Sequence, residues 1–213
     1  MSGIRGYYQV RLQSEGEPHE ANDYGSARSQ KFRFRVATES LGIRNGDTVV
    51  DVGCGTGEYC SWLWNNGYEV LYKGVDDHPK MLQRARDRTG SQIEQRDVIQ
   101  DGVPSGDWGV ALGILGVIDG NEYQRWQAFD KLVRHLHNAS ALGFAFTVQS
   151  ARSNWKKYQQ VSELRWYADP SEVVRRLNDF IPHLSWQIRC DYHPFDLMVV
   201  CHKGPPFVAS QCD

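Results

Sequence analysis

Residues 49–59 read VVDVGCGTGEY, and this stretch limits the chain to few architectures. Val49–Val52 has the β-branched character of a buried strand, and Gly53, Gly55 and Gly57 let the backbone turn sharply and approach a ligand closely. Glu58–Asn66 reads as a helix closed by Asn66-Gly67. A strand, a Gly-rich turn and a helix in that order begin a doubly wound α/β sheet, which binds ligands beyond the carboxyl ends of its strands.

The remaining chain alternates in the same way. A helix is predicted from Ser26 to about Leu41, stopped by Gly42. VLYKGVD, QIEQRD, DWGVALGIL and ALGFAFTVQS read as strands, with helices at Pro79–Arg88, Glu122–Asn138 and Pro170–Phe180. LSWQIRCDY and FDLMVVCH form two adjacent strands around the turn at His193-Pro194. The order predicts an α/β fold with helices on both faces of a mostly parallel sheet, closing on an antiparallel strand of a C-terminal hairpin. With 213 residues, 40% of them hydrophobic, a single domain is expected. It runs over 26–203, between an arm or lid at 1–25, which shows no clear period, and a tail at 204–213. Residues 151–167 are too long for an ordinary connection and carry Trp155, Tyr158, Trp166, Tyr167, Arg152 and Arg165, which marks them as a substrate cover.

The spacing GxGxG and the preceding Asp51 disfavour a dinucleotide. A carboxylate there repels a pyrophosphate and suits a cationic group instead. Asp76 ends the next strand nineteen positions after Gly57, where such folds set a carboxylate against ribose hydroxyls. Asp97, after the third strand, can accept from an exocyclic amine or cap the following turn. An ammonium, a ribose and an adenine together describe S-adenosylmethionine.

VVDVGCGTGEY, YKGVDDHPKMLQRAR and EQRDV together resemble the first three motifs of the class I, Rossmann-like S-adenosylmethionine-dependent methyltransferases. The resemblance implies a seven-stranded sheet and S-adenosyl-L-methionine as cofactor. It sets Gly53–Gly57, with Cys54 between them, along the methionine portion, and Asp76 on the ribose. Met81, Asp97 and Val98 then lie at the adenine, and Gly113 stands in the fourth-motif strand. Asp77 replaces a residue that is often apolar in the family, so the ribose contact is shared or shifted. GILG lacks the Pro-Pro-aromatic signature of methylases acting on exocyclic amines of nucleic acid bases.

Arg33 matches the methionine carboxylate as a fork or belongs to a solvated helix face. Cys54 has no paired base and reads as a small filler. Tyr24, Trp155, Arg165, Trp166 and Tyr167 are the candidate substrate contacts. His193 is the candidate catalytic base, needed only if the acceptor is a hydroxyl or phenol. Its alternative is a structural turn.

Lys and Arg number 24 against 26 Asp and Glu, for a net charge of −2, so no whole-surface basic field attracts nucleic acid. A small-molecule methyl acceptor is the first expectation. Alternatives are a macromolecular substrate held by Arg152, Lys156, Lys157 and Arg165, and a non-catalytic, cofactor-binding partner subunit. No signal peptide or membrane span is read, so a cytoplasmic monomer or homodimer is expected. Five cysteines without ligand spacing predict no metal site.

Overall fold

Seven strands form one sheet in the order β3-β2-β1-β4-β5-β7-β6. The computed structural model describes residues 3–13, 18–152 and 164–204. The strands are β1 (Thr48–Val52), β2 (Leu71–Asp76), β3 (Gln92–Gln95), β4 (Gly106–Ala111), β5 (Ser140–Gln149), β6 (Ser185–Arg189) and β7 (Asp196–His202). β1 to β5 pair in parallel, and β7 runs antiparallel to both β5 and β6. After β3 the chain returns to the other side of β1, so the strand order reverses between the parallel neighbours β1 and β4, and their carboxyl ends open a crevice at the centre of the sheet.

The central strands have no polar face. Successive residues of β5 supply the two core layers in turn: Phe144 and Phe146 one, Ala145 the other. Helices α3 (Ala27–Leu41), α4 (Glu58–Asn65) and α5 (Pro79–Thr89) cover the face that carries Val49, Ala145 and Val200. Helices α6 (Glu122–Ala139) and α7 (Pro170–Phe180) cover the face that carries Val50, Phe144 and Val199. α3 starts where the Ser26 hydroxyl accepts from Ser29 N and stops at Gly42 in the left-handed region. α6 opens with a reciprocal capping box between Asn121 and Gln124.

Two expectations change. The stretch DWGVALGIL is a strand only as far as Ala111. After it, Gly113 takes φ 92° and a short 3-10 turn spans Ile114–Gly116, so this part of the chain forms a wall of the crevice rather than a longer strand. The arm also contains α1 (Ile4–Gln13) and α2 (Pro18–Ala21). Its stripe is narrow: Tyr8 and Leu12, four residues apart, pack with Ala21 and Met81.

Residues 164–168 are clamped between two parts of the sheet rim. Leu164 O accepts Ile118 N–H, Arg165 bridges Val117, and Ala168 N–H reaches Gln149 O. Trp166 therefore points inward. It is 2% exposed and packs against Trp126 and Phe129, while its indole N–H donates to Glu122. The expectation that Trp166 contacts substrate is corrected: it is core. Trp155, Lys156, Lys157 and Tyr158 lie outside the described residues. Among the described residues no helix is long and apolar enough to cross a membrane. Trp166→Ala is expected to lower unfolding free energy by about 3–5 kcal/mol, as deletion of a buried aromatic side chain does. Urea titration followed by circular dichroism checks it, and a change under about 1 kcal/mol would place the indole outside the core.

Candidate functional site

At the end of β1 the chain turns back on itself, and Gly53 N–H and Cys54 N–H both donate to Val75 O of β2. The next backbone donor, Gly55 N–H, reaches the Asp76 carboxylate at 3.0 Å, and His78 N–H reaches its other oxygen at 2.9 Å. The carboxylate is thereby held in a single orientation. The backbone at Asp77 also lowers the Asp76 pKa, and a carboxylate has lone pairs left to offer a ligand.

The crevice beyond these turns is a cavity of about 380 Å³. Asp51, Gly53, Cys54, Gly55, Asp76, Asp77, Met81, Asp97, Val98 and Gly113 line it. The structure thus brings together ten of the twelve residues singled out around a cofactor. Gly57 and Arg33 are the exceptions. At Gly57 (φ +79°) a Cβ would lie 3.0 Å from Thr89 Cγ2 and 3.2 Å from Ala85 Cα, so this glycine permits α4 to start against α5. Arg33 faces a second cavity.

Asp51 is buried, and the Tyr72 hydroxyl donates to it. Burial pushes its carboxyl up to about 7, against the lowering effect of that hydroxyl; Asp76 adds to the rise. Burial also raises Asp76 to about 6, opposed by the His78 and Gly55 N–H groups. A buried and a half-buried carboxylate that, among the described residues, pair with no cation favour a cationic ligand. Asp97 is exposed, and one oxygen accepts from Ile99 and Gln100 N–H, so it caps a turn as well as facing the cavity. Asp77 pairs with Arg5 of the arm at 3.0 Å. Cys54 is buried, which drives its thiol well above the usual range, as suits a filler.

The second cavity, of about 430 Å³, adjoins the first, with Tyr8, Asn22, Tyr24 and Gly113 lining both. The Tyr24 hydroxyl donates to Leu112 O at 2.9 Å, and Gly113 N–H donates to Thr147 Oγ1 at 2.8 Å. Arg33, Arg165, Tyr167, His193, Asp23 and Asp196 line the remainder. Arg33 Nε donates to Asp196, Nη1 to Ser29, and its guanidinium lies 5.2 Å from the centre of the Tyr24 ring. Arg165 pairs with Asp23 at 2.7 Å, and Arg11 holds the same carboxylate at 2.6 Å.

His193 is on this wall, with Ser29 Oγ and Arg33 Nη2 each 3.3 Å from Nε2 and with Phe195 N–H 3.3 Å from Nδ1. Burial, then Arg33, lowers its pKa, and Asp196 offsets part of this. The ring is therefore neutral near pH 7.

Sequence reading missed Asn22, Ser29 and Asp196. Asn22 reaches the Gly-rich turn: its side-chain N–H donates to Thr56 Oγ1 at 3.0 Å, and its Oδ1 accepts Thr56 N–H at 3.2 Å. Asp196 left one signal, a charged residue opening an otherwise apolar strand, DLMVVC.

The pattern of the family described as "Methyltransferase domain" matches residues 49–139, the stretch that builds the first cavity. A protein of Mycobacterium tuberculosis (strain ATCC 25618 / H37Rv) named "Putative methyltransferase Rv1506c" is 27% identical over 74% of this chain and 93% of its own length. Among solved structures, magnesium protoporphyrin IX methyltransferase (ChlM) from Synechocystis PCC 6803 with bound SAH superposes with a TM-score of 0.68 at 16% identity, over 95% of this chain and 96% of that one. The methyltransferase domain of bacterial CtHen1 gives 0.62 at 18% identity, over 83% and 99%.

The raised carboxyl pKa of Asp51 has a defined sign for stability. Below about pH 4 it is protonated in both folded and unfolded chains; between about 4 and 7 the folded protein holds the extra proton, so raising pH through this window removes stability. Asp51→Asn is expected to raise the melting temperature of the ligand-free protein at pH 8. The gain is about 2–4 °C per kcal/mol of relieved charge burial, and it shrinks as pH falls towards 4. Differential scanning calorimetry across that range checks it; a variant that melts below the parent at pH 8 would mean the buried charge is already compensated.

Proposed function

We propose that this chain, which carries a methyltransferase domain over residues 49–139, transfers a methyl group from S-adenosyl-L-methionine to a small-molecule acceptor in the second cavity. The observation that carries this reading is Asp51, a buried carboxylate beside the glycine turn that accepts from a hydroxyl and, among the described residues, pairs with no cation.

The residues fit the cofactor. Asp51 with the backbone at Gly53–Gly55 suits the ammonium end of the methionine portion, and Asp76 offers its carboxylate to the ribose. Met81 and Val98, both buried, supply apolar surface for the adenine, with Asp97 at its edge. The bound cofactor supplies an electrophilic methyl on a sulfonium, whose leaving group is neutral. The protein's task is then to align the acceptor in line with that bond and to exclude water. Tyr24 and Gly113, shared by both cavities, stand where the reacting atoms would meet.

Arg33 and Tyr24 belong with the acceptor in this reading, as do Arg165 and Tyr167. We read residues 1–25 as an arm or lid and 26–203 as the catalytic unit. A macromolecular substrate has less support, since Arg165 is engaged by Asp23 and the likeness to the CtHen1 domain, at 18% identity, speaks for the fold alone.

Titration calorimetry is expected to show binding of S-adenosylmethionine and of its demethylated product, with no competition from nicotinamide dinucleotides. Asp76→Ala weakens that binding by about 1–3 kcal/mol, the range for lost hydrogen bonds to a charged group. Asp77→Ala weakens it less, because Asp77 is engaged by Arg5. Heat with neither sulfur ligand, or a larger loss at Asp77 than at Asp76, would overturn the assignment. Methyl-labelled cofactor that binds but transfers no label to any metabolite fraction would indicate a non-catalytic subunit.

A further inference from the structure

The two cavities share four described residues, Tyr8, Asn22, Tyr24 and Gly113. Asn22 gives both ends of its amide to Thr56. Gly113 donates its N–H to Thr147 and accepts Gly116 N–H at its carbonyl. The Tyr8 ring packs with Leu12, Ala21 and Met81, which puts it on the adenine side in the reading above.

Tyr24 differs in being anchored at both ends. Its ring carries the Arg33 guanidinium, 5.2 Å from the ring centre, and Arg33 lines the second cavity. Its hydroxyl donates to Leu112 O at 2.9 Å and would stand 3.2 Å from a Cβ on Gly113. Leu112 and Gly113 both line the first cavity. The oxygen therefore stands on the cofactor side, while the ring reaches the acceptor side. Gly113 belongs to the same arrangement: it takes φ +92°, and any side chain there would press on the Tyr24 hydroxyl.

A phenol that donates its one proton to a carbonyl turns its lone pairs elsewhere. Burial raises the pKa of this hydroxyl against the lowering effect of Arg33, and Asp196, Asp51 and Asp23 add to the rise. The phenol stays neutral and acts as a hydrogen-bond acceptor of fixed position. In the methyl-transfer reading, the cofactor atom that an acceptor in the second cavity has to reach is the methyl carbon, so that carbon belongs at this junction. The sulfonium leaves the methyl hydrogens partly positive, which makes them donors to an oxygen lone pair.

We propose that Tyr24 is a catalytic residue whose oxygen receives the methyl hydrogens of S-adenosyl-L-methionine and holds the methyl in line with the acceptor. This rests on the methyl-transfer reading above and goes beyond the acceptor contact given to Tyr24 there. As the acceptor's lone pair forms the new bond to carbon, the electron pair of the S–CH₃ bond returns to sulfur. Tyr24 keeps its proton and changes no bond. Its oxygen narrows the orientations open to the methyl and stabilises positive charge on it during transfer.

The demethylated product supplies the control, because it lacks both the methyl and the positive charge. Titration calorimetry on the full chain compares S-adenosylmethionine with that product in the parent and in Tyr24→Phe, which keeps the ring for Arg33 and removes only the oxygen. The preference for S-adenosylmethionine over the product is expected to fall by about three- to tenfold, and Tyr8→Phe is expected to leave it unchanged. Equal losses with both ligands mean that Tyr24 only braces Leu112, and they overturn the proposal. A larger fall at Tyr8→Phe than at Tyr24→Phe overturns it as well. A second measurement needs no variant: the methyl proton resonance of S-adenosylmethionine bound to the parent is expected downfield of its position in free cofactor, and an unmoved or upfield resonance overturns the contact. Binding of neither ligand to the parent fails the underlying cofactor reading instead.

Discussion

The carboxylate of Asp76 ties together the two turns that shape the first cavity. It sits at the end of β2 and accepts Gly55 N–H from the glycine turn after β1 and His78 N–H from the start of α5. Both turns lack regular secondary-structure partners at these positions, so a single side chain supplies acceptors to donors that would otherwise face solvent or ligand. Because the backbone holds it, the carboxylate that lines the cavity is fixed before any ligand arrives. Such preorganisation reduces the ordering cost of binding.

The same end of the sheet concentrates negative charge where the chain would be more stable without it. Asp51 and Asp76 lie at the carboxyl ends of adjacent parallel strands, and burial raises the pKa of each. Charges left partly unsatisfied in a ligand-free protein are a destabilising feature that a cationic ligand relieves. The second cavity differs, since its carboxylates Asp23 and Asp196 already hold arginines. The first chamber therefore favours a cationic ligand, whereas the charges of the second are paired within the protein, and Tyr24 and Gly113 line both.

The arm completes both chambers. Arg5 reaches Asp77 on the cofactor side, Asn22 caps the glycine turn at Thr56, and Asp23 meets Arg165 at the rim. These contacts join elements far apart in the chain, with Asp23 and Arg165 separated by 142 positions. A Cβ at Gly55 would lie 2.2 Å from Asn22 Oδ1, so the glycine serves the arm's approach as well as the turn.

The order of strands and helices was legible in the sequence because each central strand is a short apolar run bounded by glycine, proline or a capping residue. The places of Asp51, the glycine turn and Asp76 around the first cavity were legible for a related reason: they follow from position at strand ends, which local sequence sets. Residues whose roles depend on which distant segment they meet were not. Trp166 is an aromatic in an irregular segment, and nothing local distinguishes one aimed at a ligand from one buried against Trp126. Arg33 lies on a helix among Arg28, Lys31 and Arg35, and only the return of β7 beside α3 supplies Asp196 as its partner. His193 was placed on the rim by the strand order, but its proton chemistry was decided by Ser29, Arg33 and Phe195. The sequence by itself determined the sheet, the glycine turn and the acids of the first cavity, since these rest on local periodicity and turn chemistry. Only the tertiary structure decided the second cavity, because its charges act in pairs across the chain, and a salt bridge leaves no local periodicity by which sequence could announce it.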